Sequence, residues 1–190
     1  MEKIAIFASG NGSNAQRIIE YFDGHPNIRV QLVVSNKADA AVLGRAERAG
    51  TNTLLINREQ FYQSEELLAE LQAQGITFVV LAGFLWLVPS YLIRAYEGRM
   101  LNIHPALLPG YGGKGMYGIR VHRAVKAAGE KESGITVHQV NEQYDEGDII
   151  FQARCKLLPS DDAETIARRV QKLEHEHFAP VIEQFITDQL

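Results

Sequence analysis

"KIAIFASGNGSNAQRIIEYF", residues 3–22, begins as one kind of element and ends as another. Lys3 to Ala8 is an apolar run of strand length. "SGNGSN" breaks it, and Ile18, Ile19 and Phe22 then recur at helical spacing. If the rest of the chain repeats this strand, turn and helix, the result is a parallel sheet covered by helices.

The pattern repeats. "VQLVVS" from Val30 reads as a second strand, "AAVLGRAERAG" as a helix closed by Gly50, and "TLLI" from Thr53 as a third strand. Gln63 to Gln74 has helical spacing with Gly75 as its stop. "ITFVVLAGF" is the most apolar strand and is expected at the centre of the sheet. "PSYLIRAYEG" carries Pro89 near a helix start and Gly98 past its end. After "MLNIH", Met100 to His104, the alternation stops. "GITVHQVN" and "IIFQARCKL" are strands separated only by "EQYDEGD", too short for a helix, so they should pair antiparallel at the sheet edge. A long helix from about Asp162 to Ile186, with Ile166, Val170 and Leu173 on its apolar face and a kink at Pro180, closes the chain. The expected fold is α/β: a Rossmann-like, mostly parallel twisted sheet with helices on both faces and antiparallel edge strands near the C-terminus. The whole of 1–190 reads as a single domain, without repeat or linker.

Composition narrows the classes. The chain is 46% hydrophobic and 22% charged, with a net charge of −4, which argues against a basic nucleic-acid surface. Cys155 is the only cysteine, so neither an intrachain disulfide nor a cysteine metal cluster can form. No histidine group has zinc spacing; His175 and His177 fall on different helix faces, and His122 and His138 are expected to be structural. No apolar run reaches the ~20 residues of a membrane span, and the N-terminal run ends at once in glycines. A cytoplasmic protein with no membrane and no nucleic-acid partner is the expectation.

Three stretches carry polar chemistry. In "MLNIH", Asn102 and His104 share one strand face, opposite Leu101 and Ile103. An amide and an imidazole there suit an oxygen acquiring negative charge, though from this stretch alone two solvated polar residues at a strand end is the reading slightly ahead. "ASGNGSNA" fits a dinucleotide loop through Gly10, Gly12 and Ala15, a simpler phosphate cradle with Ser13 and Asn14 as donors, or a tight turn into a capped helix. The dinucleotide reading expects a ribose-binding acid at the end of the second strand, where Ser35-Asn36-Lys37 stands, so a monophosphate is preferred. "NEQYDEGD" offers Glu142, Asp145, Glu146 and Asp148, and spacing does not choose among them. One of these acids, reaching the crevice beyond the strand ends, would complete an acid–base arrangement with His104. "PGYGGKGMYG" lacks the hydroxyl residue of a nucleotide-binding loop, because Gly115 follows Lys114; it reads as a mobile segment at the mouth of a site.

"NIHPALLP" resembles the N-x-H-P-[SA]-L-L-P signature of the folate-dependent formyltransferases, and "GITVHQVNEQYDEGDII" resembles their second signature. "GNGSN", followed by "SNKADA", is similar to the branch that formylates glycinamide ribonucleotide in purine synthesis. The resemblance covers nearly the whole chain. It implies 10-formyltetrahydrofolate as co-substrate, glycinamide ribonucleotide as acceptor, and no metal. It assigns Asn102, His104 and Asp145 to catalysis, with Asn102 and a charged His104 holding the oxyanion and Asp145 raising the imidazole pKa. Gly12, Ser13 and Asn14 are implied to hold the substrate phosphate, and Gln171 and Glu174 to contact the ribonucleotide. Arg58, Leu85, Trp86, Leu87, Val88, Asn102 and Asn141 are implied on the folate side. Monomer and homodimer both stay open.

The sequence departs from the family pattern in several places. Trp86 stands where Arg is frequent, Asp148 where Pro usually follows Asp-x-Gly, and "GYGGKGMYGIRVH" is longer than the common form. The chain also stops soon after the last helix, where many relatives carry a tail. Within the same chemistry, a formyltetrahydrofolate hydrolase would carry an extra N-terminal domain, and the formyltransferase acting on initiator tRNA a further C-terminal one. A non-catalytic nucleotide-binding module would explain the glycine loop but not Asn102, His104 and Asp145 together.

Overall fold

The computed structural model describes residues 1–189; Leu190, the last position of the expected 1–190 domain, lies outside the described residues. Seven strands form one sheet in the order β3-β2-β1-β4-β5-β6-β7. They are β1 (Glu2–Phe7), β2 (Ile28–Ser35), β3 (Asn52–Leu55), β4 (Phe78–Leu81), β5 (Met100–His104), β6 (Glu132–Gln139) and β7 (Ile149–Lys156). The first five are mutually parallel, and β5–β6 and β6–β7 pair antiparallel. The fully apolar β4 is the middle strand, as its composition predicts.

Side-chain alternation splits the core in two. Ile4 and Ile6 of β1 face a layer built from α1 (Ser13–Phe22), α2 (Ala41–Arg48) and α7 (Ala163–Thr187). Ala5 and Phe7 face the other layer, built from α3 (Arg58–Tyr62), α4 (Glu66–Ala73) and α5 (Ser90–Ala95). α7 starts where its sequence says it should: the Asp162 side chain accepts from Thr165 N at 2.7 Å. Helical assignment runs unbroken through Pro180.

Two elements differ from the sequence reading. The helix expected from Gln63 begins only at Glu66, and α3 precedes it, started by an Asn57–Gln60 capping box. The segment after Gly118, to which the sequence reading assigned no element, forms α6 (Ile119–Ala127). Its buried face is Val121, His122 and Val125, so a histidine interrupts the apolar spacing and hides the period.

Candidate active site

The sheet order places β1 beside β4, where the chain's progression reverses direction; ligands of open α/β sheets bind outside the strand ends at such a point. A cleft of about 840 Å³ opens there. It is lined by the Gly10–Asn14 loop, by Gln171 and Glu174 of α7, by Asn102, His104 and Asp145, and by Leu85 to Val88.

Gly12 caps α1 in the left-handed region (φ 77°), and no side chain caps the helix. The first-turn N–H groups are therefore unclaimed by a capping side chain, and the first turn carries no acid, which together suit an anion. A Cβ at Gly12 would collide with Val42, so glycine is required here by the fold as well as by any ligand. Arg45 braces the loop, donating from Nε to the Asn11 carbonyl at 2.8 Å and from Nη2 to Asn11 Oδ1 at 2.7 Å. Behind the loop, Gln171 Nε2 donates to Ser13 Oγ at 3.3 Å and Asn14 Nδ2 to Glu174 Oε2 at 3.0 Å. Burial pushes the Glu174 carboxyl pKa up, against the pull of Asn14. Lys37 lines the same cleft, where a dinucleotide loop would have its acid.

Of the acids in the 142–148 turn, Asp145 is the one that meets His104. Asp145 Oδ2 lies 3.4 Å from His104 Nδ1 and accepts from Gly113 N at 2.9 Å; Glu142, Glu146 and Asp148 are exposed. Asp145 sits in the left-handed region at φ 58°, which Asp tolerates better than most residues. Its pKa is lowered: burial works against ionisation, but a hydrogen bond from His138, the His104 ring when charged and the Gly113 N–H outweigh it. His104 is only 3% exposed. Its Nε2 is 2.7 Å from the Tyr111 carbonyl, which can only accept, so Nε2 carries the proton and Nδ1 faces the carboxylate. The sequence reading expects a raised His104 pKa. The structure reverses this: burial lowers it, and the opposing pull of Asp145 and the Tyr111 carbonyl does not recover the loss.

His138, expected to be structural, belongs to this group. It is the cross-strand neighbour of Asn102, and its Nε2 lies 3.0 Å from Asn102 Nδ2. The pairing of β6 with β7 slips between Val137 and His138, where Ile150 is the extra residue on β7. Only strand pairing exposes this role; the one signal in the sequence is the alternation that puts Thr136 and His138 on one face. His122 also lines the cleft, buried, with no hydrogen-bond partner at Nδ1.

On the apolar side, Trp86 and Asn141 line the cleft, and Arg58 does not. The Arg58 guanidinium lies 5.0 Å from the Trp86 ring centroid, in an adjoining recess of about 410 Å³. Trp86 at the position where the family often has Arg thus gives Arg58 an aromatic platform. Asp148 departs from the pattern without disturbing the turn: its carbonyl accepts from Gln139 N at 2.9 Å, a bond that does not involve the side chain.

The model of the formyl transferase family matches residues 2–182. Phosphoribosylglycinamide formyltransferase of Escherichia coli (strain K12) is 38% identical over 98% of this chain and 88% of its own. The chloroplastic phosphoribosylglycinamide formyltransferase of Arabidopsis thaliana is 42% identical over 95% of this chain and 64% of its own. The chain spans less than two thirds of the length of that relative. The solved phosphoribosylglycinamide formyltransferase of Bacillus halodurans superposes with a TM-score of 0.88 at 32% identity, covering 100% of this chain and 97% of its own.

Proposed function

The chain belongs to the formyl transferase family, and we propose that it transfers the formyl group of 10-formyltetrahydrofolate to the amine of glycinamide ribonucleotide, in de novo purine biosynthesis. The observation that carries this reading is one cleft lined together by an anion cradle, an apolar wall, and Asn102, His104 and Asp145. The phosphate belongs on the Gly12–Asn14 turn, the ribose beside Gln171 and Glu174, and the folate along Leu85 to Val88 and Asn141. The unit 1–190 acts as one domain, in the cytoplasm, which cell fractionation would test.

The amine lone pair forms the new N–C bond as the formyl π pair moves onto oxygen. The nitrogen becomes cationic and releases a proton toward the Asp145 carboxylate, which faces His104 Nδ1 at 3.4 Å. His104, neutral at rest, becomes imidazolium as the proton enters this pair, and its charge stabilises the oxyanion. Collapse breaks the bond to the folate nitrogen, which leaves with a proton; the products are the formamide and tetrahydrofolate. To reach Nε2–H, the formyl oxygen must take the place of the Tyr111 carbonyl, so the Gly110–Gly118 segment has to give way. Much of the remaining acceleration comes from holding two substrates side by side.

The test is purified chain with formyl-folate, with and without glycinamide ribonucleotide, in the presence of chelator. Folate turnover only when the acceptor is present, unaffected by chelator, is expected. Turnover without acceptor would favour a formyltetrahydrofolate hydrolase, and none in either case a nucleotide-binding module. Gly12 is a poor probe of the phosphate end because Val42 lies against it. Ser13→Ala is the cleaner one. A hydrogen bond to a charged group is worth about 1.5–3 kcal/mol, so the KM for glycinamide ribonucleotide should rise about tenfold or more while that for the folate stays put. Equal rises in both would contradict the phosphate assignment.

A further inference from the structure

A second recess adjoins the cleft where α7 runs beside α1. It holds about 500 Å³ and is lined by Arg17, Arg168, Gln171, Lys172, His175 and Glu176. All but Arg17 belong to α7, at positions i, i+3, i+4, i+7 and i+8, so they form one stripe along that helix. Arg168 and Gln171 also line the main cleft, so the two spaces share a wall. Gln171 Nε2 donates to Ser13 Oγ at 3.3 Å, which sets that wall against the Gly12–Asn14 turn. Arg17 is paired with Glu20 at 3.2 Å, whereas among the described residues neither Arg168 nor Lys172 forms an ion pair. Arg168 Nη2 donates to the neutral Thr165 hydroxyl at 2.9 Å. Glu176 is the one acid in the lining. Burial, and then the Arg17 charge, lowers the His175 pKa against the pull of Glu20, so that ring is neutral at pH 7. The recess is cationic on a chain whose net charge is −4.

We propose that Arg168 and Lys172, with Arg17, form a basic forecourt to the Gly12–Asn14 turn that draws in and holds the phosphate group of the acceptor substrate. This rests on the formyl-transfer reading and adds to it a second basis for selecting phosphorylated acceptors. A phosphate monoester carries about −1.5 to −2 charges at pH 7, and an acidic protein repels it at long range. Cations grouped along one groove reverse that field locally, and the low-dielectric walls of the groove focus it. Residues 10–14 carry no charge of their own, and Arg45 is committed to Asn11. Formal charge opposite the phosphate therefore has to come from neighbouring side chains. Arg168 stands in both spaces, and its planar fork matches two phosphate oxygens, so it can follow the dianion from the recess to the turn.

The test is the double variant Arg168→Gln with Lys172→Gln, which removes both unpaired charges and keeps good helix formers at both positions. An exposed charge contributes a few-fold, so the variant should bind ribose 5-phosphate about tenfold more weakly than wild type by calorimetry at low salt. Low salt here is ~10 mM, where the Debye length is about 30 Å; at ~1 M it is about 3 Å, and the two proteins should converge. KM for glycinamide ribonucleotide should rise in step, with kcat and the folate KM unmoved. kcat/KM for the dephosphorylated riboside should not change. The control is Arg29→Gln with Arg94→Gln, which removes the same charge from the N-terminal end of β2 and the last turn of α5, away from the strand ends that carry the cleft; it should leave every reading at wild type. An equal loss in the control would reduce the effect to net charge and overturn the proposal. So would a loss that persists at high salt or extends to the riboside, which would mean disturbed packing, and so would wild-type affinity in the double variant. A wild-type chain that binds ribose 5-phosphate in this salt-dependent way yet transfers no formyl group would sink the proposed function and leave the forecourt standing. A wild-type chain that does not bind the sugar phosphate would overturn the forecourt.

Discussion

His104→Ala is expected to remove nearly all turnover, by about 10²–10⁴-fold in kcat, while KM for both substrates stays within a few-fold. The imidazole faces the Asp145 carboxylate through one nitrogen and presents an N–H through the other. Alanine removes both the proton acceptor and the charge that builds against the oxyanion. His104 lies at the end of β5 and is packed by the 105–109 turn, which Thr136 holds by accepting from Leu108 N at 3.0 Å and donating to the Ala106 carbonyl at 2.7 Å. That frame does not include the imidazole, so the variant should fold. Steady-state kinetics with each substrate varied, beside thermal unfolding, checks it. A variant with kcat near wild type would remove His104 from the chemistry.

The second large effect is Asp145→Asn, with an expected loss of about 10²–10³-fold in kcat, the scale of one preorganised electrostatic partner. Asn accepts the left-handed backbone at this position, where φ is 58°. Its oxygen can still accept from Gly113 N. The change is therefore chiefly one of charge. The sign for His104 follows: a carboxylate beside an imidazole favours the protonated ring, so removing it lowers a pKa that burial has already lowered. Activity that needs a neutral His104 is lost as pH falls through that pKa. The acid limb of kcat should move to lower pH in the variant, beneath a much lower plateau. The group titrates as a coupled cluster, so ring NMR and the kinetic limb should be compared within one series. An unmoved His104 titration with near-wild-type kcat would leave Asp145 as a turn residue, and Glu142 or Asp148 would then have to be tried.

The two variants also separate what the chain order carries from what folding adds. The glycine-rich turn after β1, the apolar β4 and the polar pair Asn102/His104 are local patterns, and each sits where its own periodicity puts it. Asp145 is different. Four acids share its turn, and the one that meets His104 is set by the fold: Asp145 takes the Gly113 N–H and faces the His104 ring, both distant in sequence. The resemblance to a family named Asp145 in advance, but the residues of that turn taken alone did not.

From the sequence by itself came the alternating architecture, the switch to antiparallel strands after His104, the anion-suited turn and the motifs that mark the family. These depend on periods of two and 3.6 residues and on glycine's backbone freedom, which act over a few neighbouring positions. Tertiary structure alone decided the rest. It buried His104 deeply enough for desolvation to outweigh its carboxylate, set His138 across from Asn102 through strand register, and moved Arg58 onto Trp86 outside the main cleft. It also made Gly12 a packing necessity through Val42. Desolvation and hydrogen-bond direction depend on every atom within a few ångströms, whatever its place in the chain, and so they come into being only when the sheet closes over them.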